Sequence, residues 1–90
     1  IGPMRRKNPH PFGEVILRLR KERNLSGYAL AKKLGKSPDQ IRSVERGDNS
    51  PKIETIEKYA EVLGMEPWDL FKELILAMRA ARRAKADESV

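Results

Sequence analysis

The stretch from Ser26 to Gly47 constrains the fold most, because its start and stop signals leave room for two short helices and nothing longer. Ser26 suits a helix N-cap, and Gly35 suits the left-handed residue that ends a helix. Ser37-Pro38-Asp39-Gln40 then starts a second helix. The Ser37 hydroxyl accepts from a free backbone N–H, and Pro38 takes the first helical position, where no N–H is needed. Gln40 lies three residues after the cap and reaches back to it. This helix is predicted to run to Arg46 and to stop at Gly47. Leu30, Leu34, Ile41 and Val44 then point inward together, Ala31 is small where the two helices approach, and Gly35 supplies the backbone freedom for a sharp turn.

The flanks follow the same grammar. A helix is predicted from Phe12 to about Arg23, with Ile16 and Leu19 on the Phe12 face and Asn24 as its stop. Ser50-Pro51 repeats the start signal, and Ile53, Ile56, Ala60 and Leu63 form an apolar stripe ended by Gly64. Pro67 opens a last helix through about residue 85, long for so small a domain. No alternating β-branched run and no hairpin signal occurs, so the fold class is all-α. With 90 residues, one domain with one modest core is expected. Ile1-Gly2-Pro3 read as a remnant of tag removal, with Met4 as the native start. The basic, proline-bearing residues up to Pro11 read as a flexible arm, residues 12–86 as the folded domain, and residues 87–90 as a disordered tail.

Charge points to the partner. The net charge is +6, and it is uneven: residues 1–47 carry +8, residues 48–66 carry −3 and residues 67–90 carry +1. One cationic side favours a polyanion, nucleic acid before membrane. The absence of Cys removes disulfides and thiolate chemistry, and the lone His10 supports neither a metal cluster nor a catalytic triad. No apolar run reaches the ~18 residues of a spanning helix. The expectation is a cytoplasmic, non-enzymatic binding protein with no cofactor and no metal.

Four segments, LRLRKERNLS, LAKKLG, SPDQIRSVERG and SPKIETIEKYAEVLG, follow one another across about residues 13–71. In this order and spacing the sequence resembles the phage repressor/Cro (Xre) helix-turn-helix family. The resemblance implies a five-helix bundle of the lambda-repressor-like type, in which helices 2 and 3 form the helix-turn-helix. It implies homodimers on double-stranded DNA, with half-sites about 34–36 Å apart and the third helix in the major groove. It places base readers at Pro38, Asp39 and Ser43, with Arg42 alongside, and phosphate contacts at Lys36, Ser37, Gln40, Arg46, Asn49 and Lys52. It also pairs the inward Glu45 with Arg20 as a structural bridge. Independently of the resemblance, Arg5, Arg6 and Lys7 in the basic arm are expected to lie along DNA.

Helical spacing independently turns Asp39, Arg42, Ser43 and Arg46 outward. Arg42 suits guanine or, equally, a phosphate. Asp39 suits cytosine N4, or merely the positive end of its own helix. Three residues depart from the family pattern: Gly27, where a phosphate-touching Gln is frequent; Lys36, where an apolar residue is frequent; and Asp48, where a basic residue is frequent.

The last helix carries two apolar edges, Trp68–Phe71–Ile75–Met78 and Leu70–Leu74–Ala77–Ala81. One small core should not cover both, so Leu70, Leu74 and Ala77 are assigned to a dimer contact. Tyr28, Tyr59 and Met65 read as core or boundary residues. No ligand-sensing domain is recognised. Three functions follow: a sequence-specific transcriptional regulator, most simply a repressor; the antitoxin of a toxin–antitoxin pair; and a protein-interaction module that uses the same fold without specific DNA.

Overall fold

In a computed structural model, which describes residues 9–88 (side chains through Ala84), the signals resolve into five helices. They are α1 (Phe12–Glu22), α2 (Gly27–Leu34), α3 (Pro38–Glu45), α4 (Ile53–Leu63) and α5 (Pro67–Glu88), and no strand occurs among the described residues. The caps of the central pair form as their residues dictate. Ala29 N donates to Ser26 Oγ at 3.0 Å. Gln40 N donates to Ser37 Oγ at 3.2 Å while Ser37 N donates to Gln40 Oε1 at 2.8 Å, a complete capping box. Asn24, the stop after α1, has φ 55°, a conformation its short polar side chain tolerates.

The core joins all five helices through Phe12, Val15, Ile16, Leu19, Leu30, Ala31, Ile41, Ile56, Tyr59, Ala60, Leu63, Leu70 and Leu74. Leu34 and Val44 pack against its edge. α3 lies between α1 and α2, and α5 closes the bundle over α1 and α4. Arg23 ties the far ends together, its guanidinium donating to Leu19 O at 3.1 Å and Leu63 O at 2.7 Å. These are carbonyls in the last turns of α1 and α4, where a cation also meets the negative end of each helix.

Several expectations are corrected. Leu70 and Leu74 are buried within this one chain and Ala77 packs on the same core, so this edge of α5 is not a free dimer surface. The other edge is exposed at its start, where Trp68 is 68% and Phe71 47% exposed, while Ile75 is half-buried and Met78 packs against the core. Periodicity shows that a helix has two apolar edges but does not say which one meets the bundle. Ser50-Pro51 stays in the loop, and α4 starts at Ile53 with no side-chain cap. Ile53 is exposed, and Tyr59 fills the core beside Ile56 instead. Helical side chains lean toward the N-terminus, so a first-turn residue overhangs the helix end rather than entering the core. Tyr28 is exposed, whereas Met65 is half-buried against the core, as expected of a boundary residue. α5 continues through Glu88, so Asp87 and Glu88 are helical rather than tail. Extending an existing helix needs no nucleation, and Ala84, Lys85 and Ala86 are strong helix formers. Pro9 to Pro11 are not free arm either: His10 N donates to Gly47 O at 2.9 Å, and Phe12 N donates to His10 Nδ1 at 3.2 Å.

The Tyr59 ring meets Phe12 edge-on with centroids 5.5 Å apart, and its buried hydroxyl has no hydrogen-bond partner among the described residues. Burial, with the nearby Glu45 carboxylate adding to it, pushes the Tyr59 pKa up to about 12. The unfolded chain ionises this phenol near 10. The folded state therefore keeps a proton that the unfolded state loses, and stability falls as pH rises from about 10 through about 12. Tyr59→Phe should flatten that alkaline loss, and at neutral pH should cost nothing or add stability, because an unsatisfied buried hydroxyl is removed. Paired urea melts at neutral and alkaline pH check both; an unchanged alkaline slope would show that the phenol meets solvent.

Candidate nucleic-acid interface

The position of α3 is set from beneath. Gly13 of α1 faces the last turn of α3 so closely that an added Cβ would lie 2.5 Å from Val44 O and 2.6 Å from Glu45 O. Beside this contact Arg20 forms a two-pronged bridge to Glu45, with Nε 2.7 Å from Oε2 and Nη2 3.1 Å from Oε1. Arg20 Nη1 also donates to Leu25 O at 2.9 Å. The side chains are only 13% and 12% exposed, so an unpartnered charge here would be costly. The hydrogen bond to Glu45 raises the Arg20 pKa further above its already high value, so the guanidinium stays charged. α3 is thus clamped to α1 by a backbone contact and a paired charge.

With that face locked, α3 offers the opposite one to solvent. Pro38, Asp39, Gln40 and Arg42 are exposed, and Ser43 is half-buried. Arg42 Nη1 lies 3.2 Å from Asp39 Oδ1, both ends well exposed, which makes the pair weak and easily exchanged for another partner. Ser37 and Gln40 spend their side chains on the capping box. Ser43 Oγ donates to Asp48 Oδ2 at 3.0 Å, and Arg46 donates to the same oxygen through Nε at 3.2 Å and Nη2 at 3.0 Å. Lys36, Asn49 and Lys52 stand exposed around the rim. Arg5, Arg6 and Lys7 lie outside the described residues.

An open cleft of about 440 Å³ runs between α2 and α3, lined by Gly27, Tyr28, Pro38, Ile41 and Arg42 above the Arg20–Glu45 bridge. It remains open at Gly27, which has no side chain to fill it. Tyr28, assigned by sequence to the core or its boundary, is 68% exposed at this cleft. Its place early in a short helix, off the Leu30–Leu34 face, was the available signal. Among the described residues no group of acids and histidines could hold a metal ion, and no helix is long and apolar enough to cross a membrane.

Two short helices joined by a glycine turn, the second clamped inward and presenting a polar outer face, define a helix-turn-helix DNA-binding domain. The HTH_3 helix-turn-helix family model matches residues 16–71, and the chain belongs to this family. It is a DNA-binding protein and not an enzyme. No curated protein matches it. Among solved structures, the clp gene regulator ClgR from Corynebacterium glutamicum superposes with a TM-score of 0.75 at 23% identity, covering 97% of this chain and 88% of that one. A second ClgR structure gives 0.70 at 22% identity, with 86% and 96% covered. An HTH_3 family transcriptional regulator from Vibrio cholerae gives 0.62 at 33% identity, covering 70% of this chain and 35% of that one. At their identities the two ClgR structures speak for the fold alone.

Proposed function

We propose that the protein is a sequence-specific transcriptional regulator, most simply a cytoplasmic repressor, that binds double-stranded DNA as a homodimer and reads the major groove with α3. The observation that carries this reading is the clamped α3 with Asp39 and Arg42 free to leave each other for base edges. Arg42 suits guanine O6 and N7, Asp39 suits cytosine N4, Pro38 offers an apolar contact, and Ser43 discriminates little. Lys36, Ser37, Gln40, Arg46, Asn49 and Lys52 surround this face and suit phosphates. Arg5, Arg6 and Lys7, which lie outside the described residues, supply three further cations that suit phosphates. The exposed start of the other α5 edge, Trp68 and Phe71, replaces Leu70, Leu74 and Ala77 as the dimer surface. Bound to a promoter, such a dimer represses by occupancy alone.

Selection of bound sites from random DNA tests the reading. The wild type should return a two-fold symmetric sequence with half-sites one helical turn apart. Arg42→Ala should cost about 1–3 kcal/mol and relax one base position per half-site. If Arg42 holds a phosphate instead, all sites weaken evenly and the salt dependence flattens by about one. No enriched sequence for the wild type would overturn the proposal. One feature favours a second reading as a toxin-binding antitoxin or a protein-interaction module: Ile53, Ile56, Glu57, Pro67, Trp68 and Phe71 line an open, mostly apolar groove between α4 and α5.

A further inference from the structure

We propose that Asp48 is a built-in restraint on DNA binding: its carboxylate occupies Arg46 as a phosphate would, and the arginine must be handed from one to the other when DNA binds. This inference rests on the DNA-binding reading above. Asp48 Oδ2 accepts from Arg46 Nε and Nη2 and from Ser43 Oγ, all within 3.2 Å. Nε and Nη2 are one edge of the guanidinium fork, the edge that matches a phosphate as well as it matches a carboxylate. The side chains are 50% exposed for Arg46 and 28% for Asp48. Solvent therefore weakens the pair enough for exchange, while the carboxylate sits too deep to be ignored.

The backbone keeps Asp48 in place. Gly47 has φ 80°, and its carbonyl accepts from His10 N at 2.9 Å. A Cβ at Gly47 would lie 2.6 Å from His10 N and 2.7 Å from Pro9 Cβ. Asp48 N donates in turn to Ser43 O at 3.2 Å. The turn is stitched to α3 on one side and to the start of the described chain on the other. Asp48 does not swing aside when DNA arrives, so Arg46 has to move. Until then this end of the cationic face presents a paired guanidinium and carboxylate in place of a free cation.

The test uses the full chain and a random-sequence duplex of about two helical turns, followed by fluorescence anisotropy across a salt series. Asp48→Asn keeps the shape and an acceptor for Ser43 but removes the charge. Its affinity should rise roughly three- to tenfold per chain, and the log-affinity against log-salt slope should steepen by about 0.9 as Arg46 gains a phosphate. Asp48→Ser should do the same, so the result does not hang on one variant folding. In an Arg46→Ala background the steepening should vanish and most of the gain with it. An equal gain in both backgrounds would mean simple repulsion and overturn the hand-over. A loss of affinity at unchanged melting temperature would mean that Asp48 positions Arg46 for phosphate, the opposite role. If neither wild type nor variants bind the duplex even at low salt, the DNA-binding reading itself fails, an outcome distinct from wild-type binding with no Asp48 effect.

Discussion

Glu45→Ala should lower the unfolding free energy by about 3–5 kcal/mol, the range for breaking one side of a buried ion pair. The loss is large because of what stays behind. Arg20 keeps its bond to Leu25 O, but Nε and Nη2 lose both partners in a place where the side chain is only 13% exposed. For a domain of this size each kcal/mol shifts the melting temperature by roughly 4–8 °C, so a drop of about 12 °C or more is expected. Replacing both partners by apolar residues, as in Arg20→Met with Glu45→Leu, should recover much of the loss, since a matched apolar pair avoids the cost of desolvating two charges. Urea melts of the two single variants and the double variant measure the coupling directly. A loss below about half a kcal/mol in Glu45→Ala would mean that water reaches the bridge freely and that α3 is held by packing alone.

The parts of the fold written in local chemistry were legible in the sequence. Ser37, Pro38 and Gln40 specify a helix start among immediate neighbours, and the capping box forms with those atoms. The inward set Leu30, Ala31 and Ile41 follows from period and size. Features that depend on which surfaces meet were not legible. Leu70 and Trp68 sit on two apolar edges of one helix, and only the placement of α1 and α4 decides that Leu70 is buried and Trp68 exposed. Ile53 matched the stripe by spacing, yet its place in the first turn puts it outside. At the site, the outward set on α3 followed from helical geometry, and the Arg20–Glu45 pairing from family resemblance. Asp48 was visible only as a departure from the family pattern. Its hold on Ser43 and Arg46 depends on the turn at Gly47, and the residues that make this turn tight, Pro9 and His10, lie far away in sequence.

Gly13→Ala sets two effects of opposite sign against each other. Within a helix, alanine is preferred over glycine by about 1 kcal/mol, so on propensity alone the variant should be more stable. The added methyl, however, would lie 2.5 Å from Val44 O, 2.6 Å from Glu45 O and 2.8 Å from Glu45 C. All three are backbone atoms, so no side chain can rotate away, and relief requires α1 and α3 to separate. Overpacking of this kind costs about 1–3 kcal/mol and occasionally more, and three simultaneous contacts with backbone place this site at the upper end. The net expectation is a loss of about 2 kcal/mol or more, with DNA affinity falling beyond what unfolding explains if the displaced helix is the reading helix, as proposed. Gly13→Ser should behave alike, while Gly27→Ala, whose added atom would lie 4.0 Å from its nearest neighbour, Arg20 Cζ, should show the propensity gain without the cost. Urea melts of these variants, with duplex binding measured well below their melting temperatures, separate the effects. A Gly13→Ala protein as stable as the wild type would show that α3 can lift off α1 freely, and the rigid presentation of Asp39 and Arg42 would lose its physical basis.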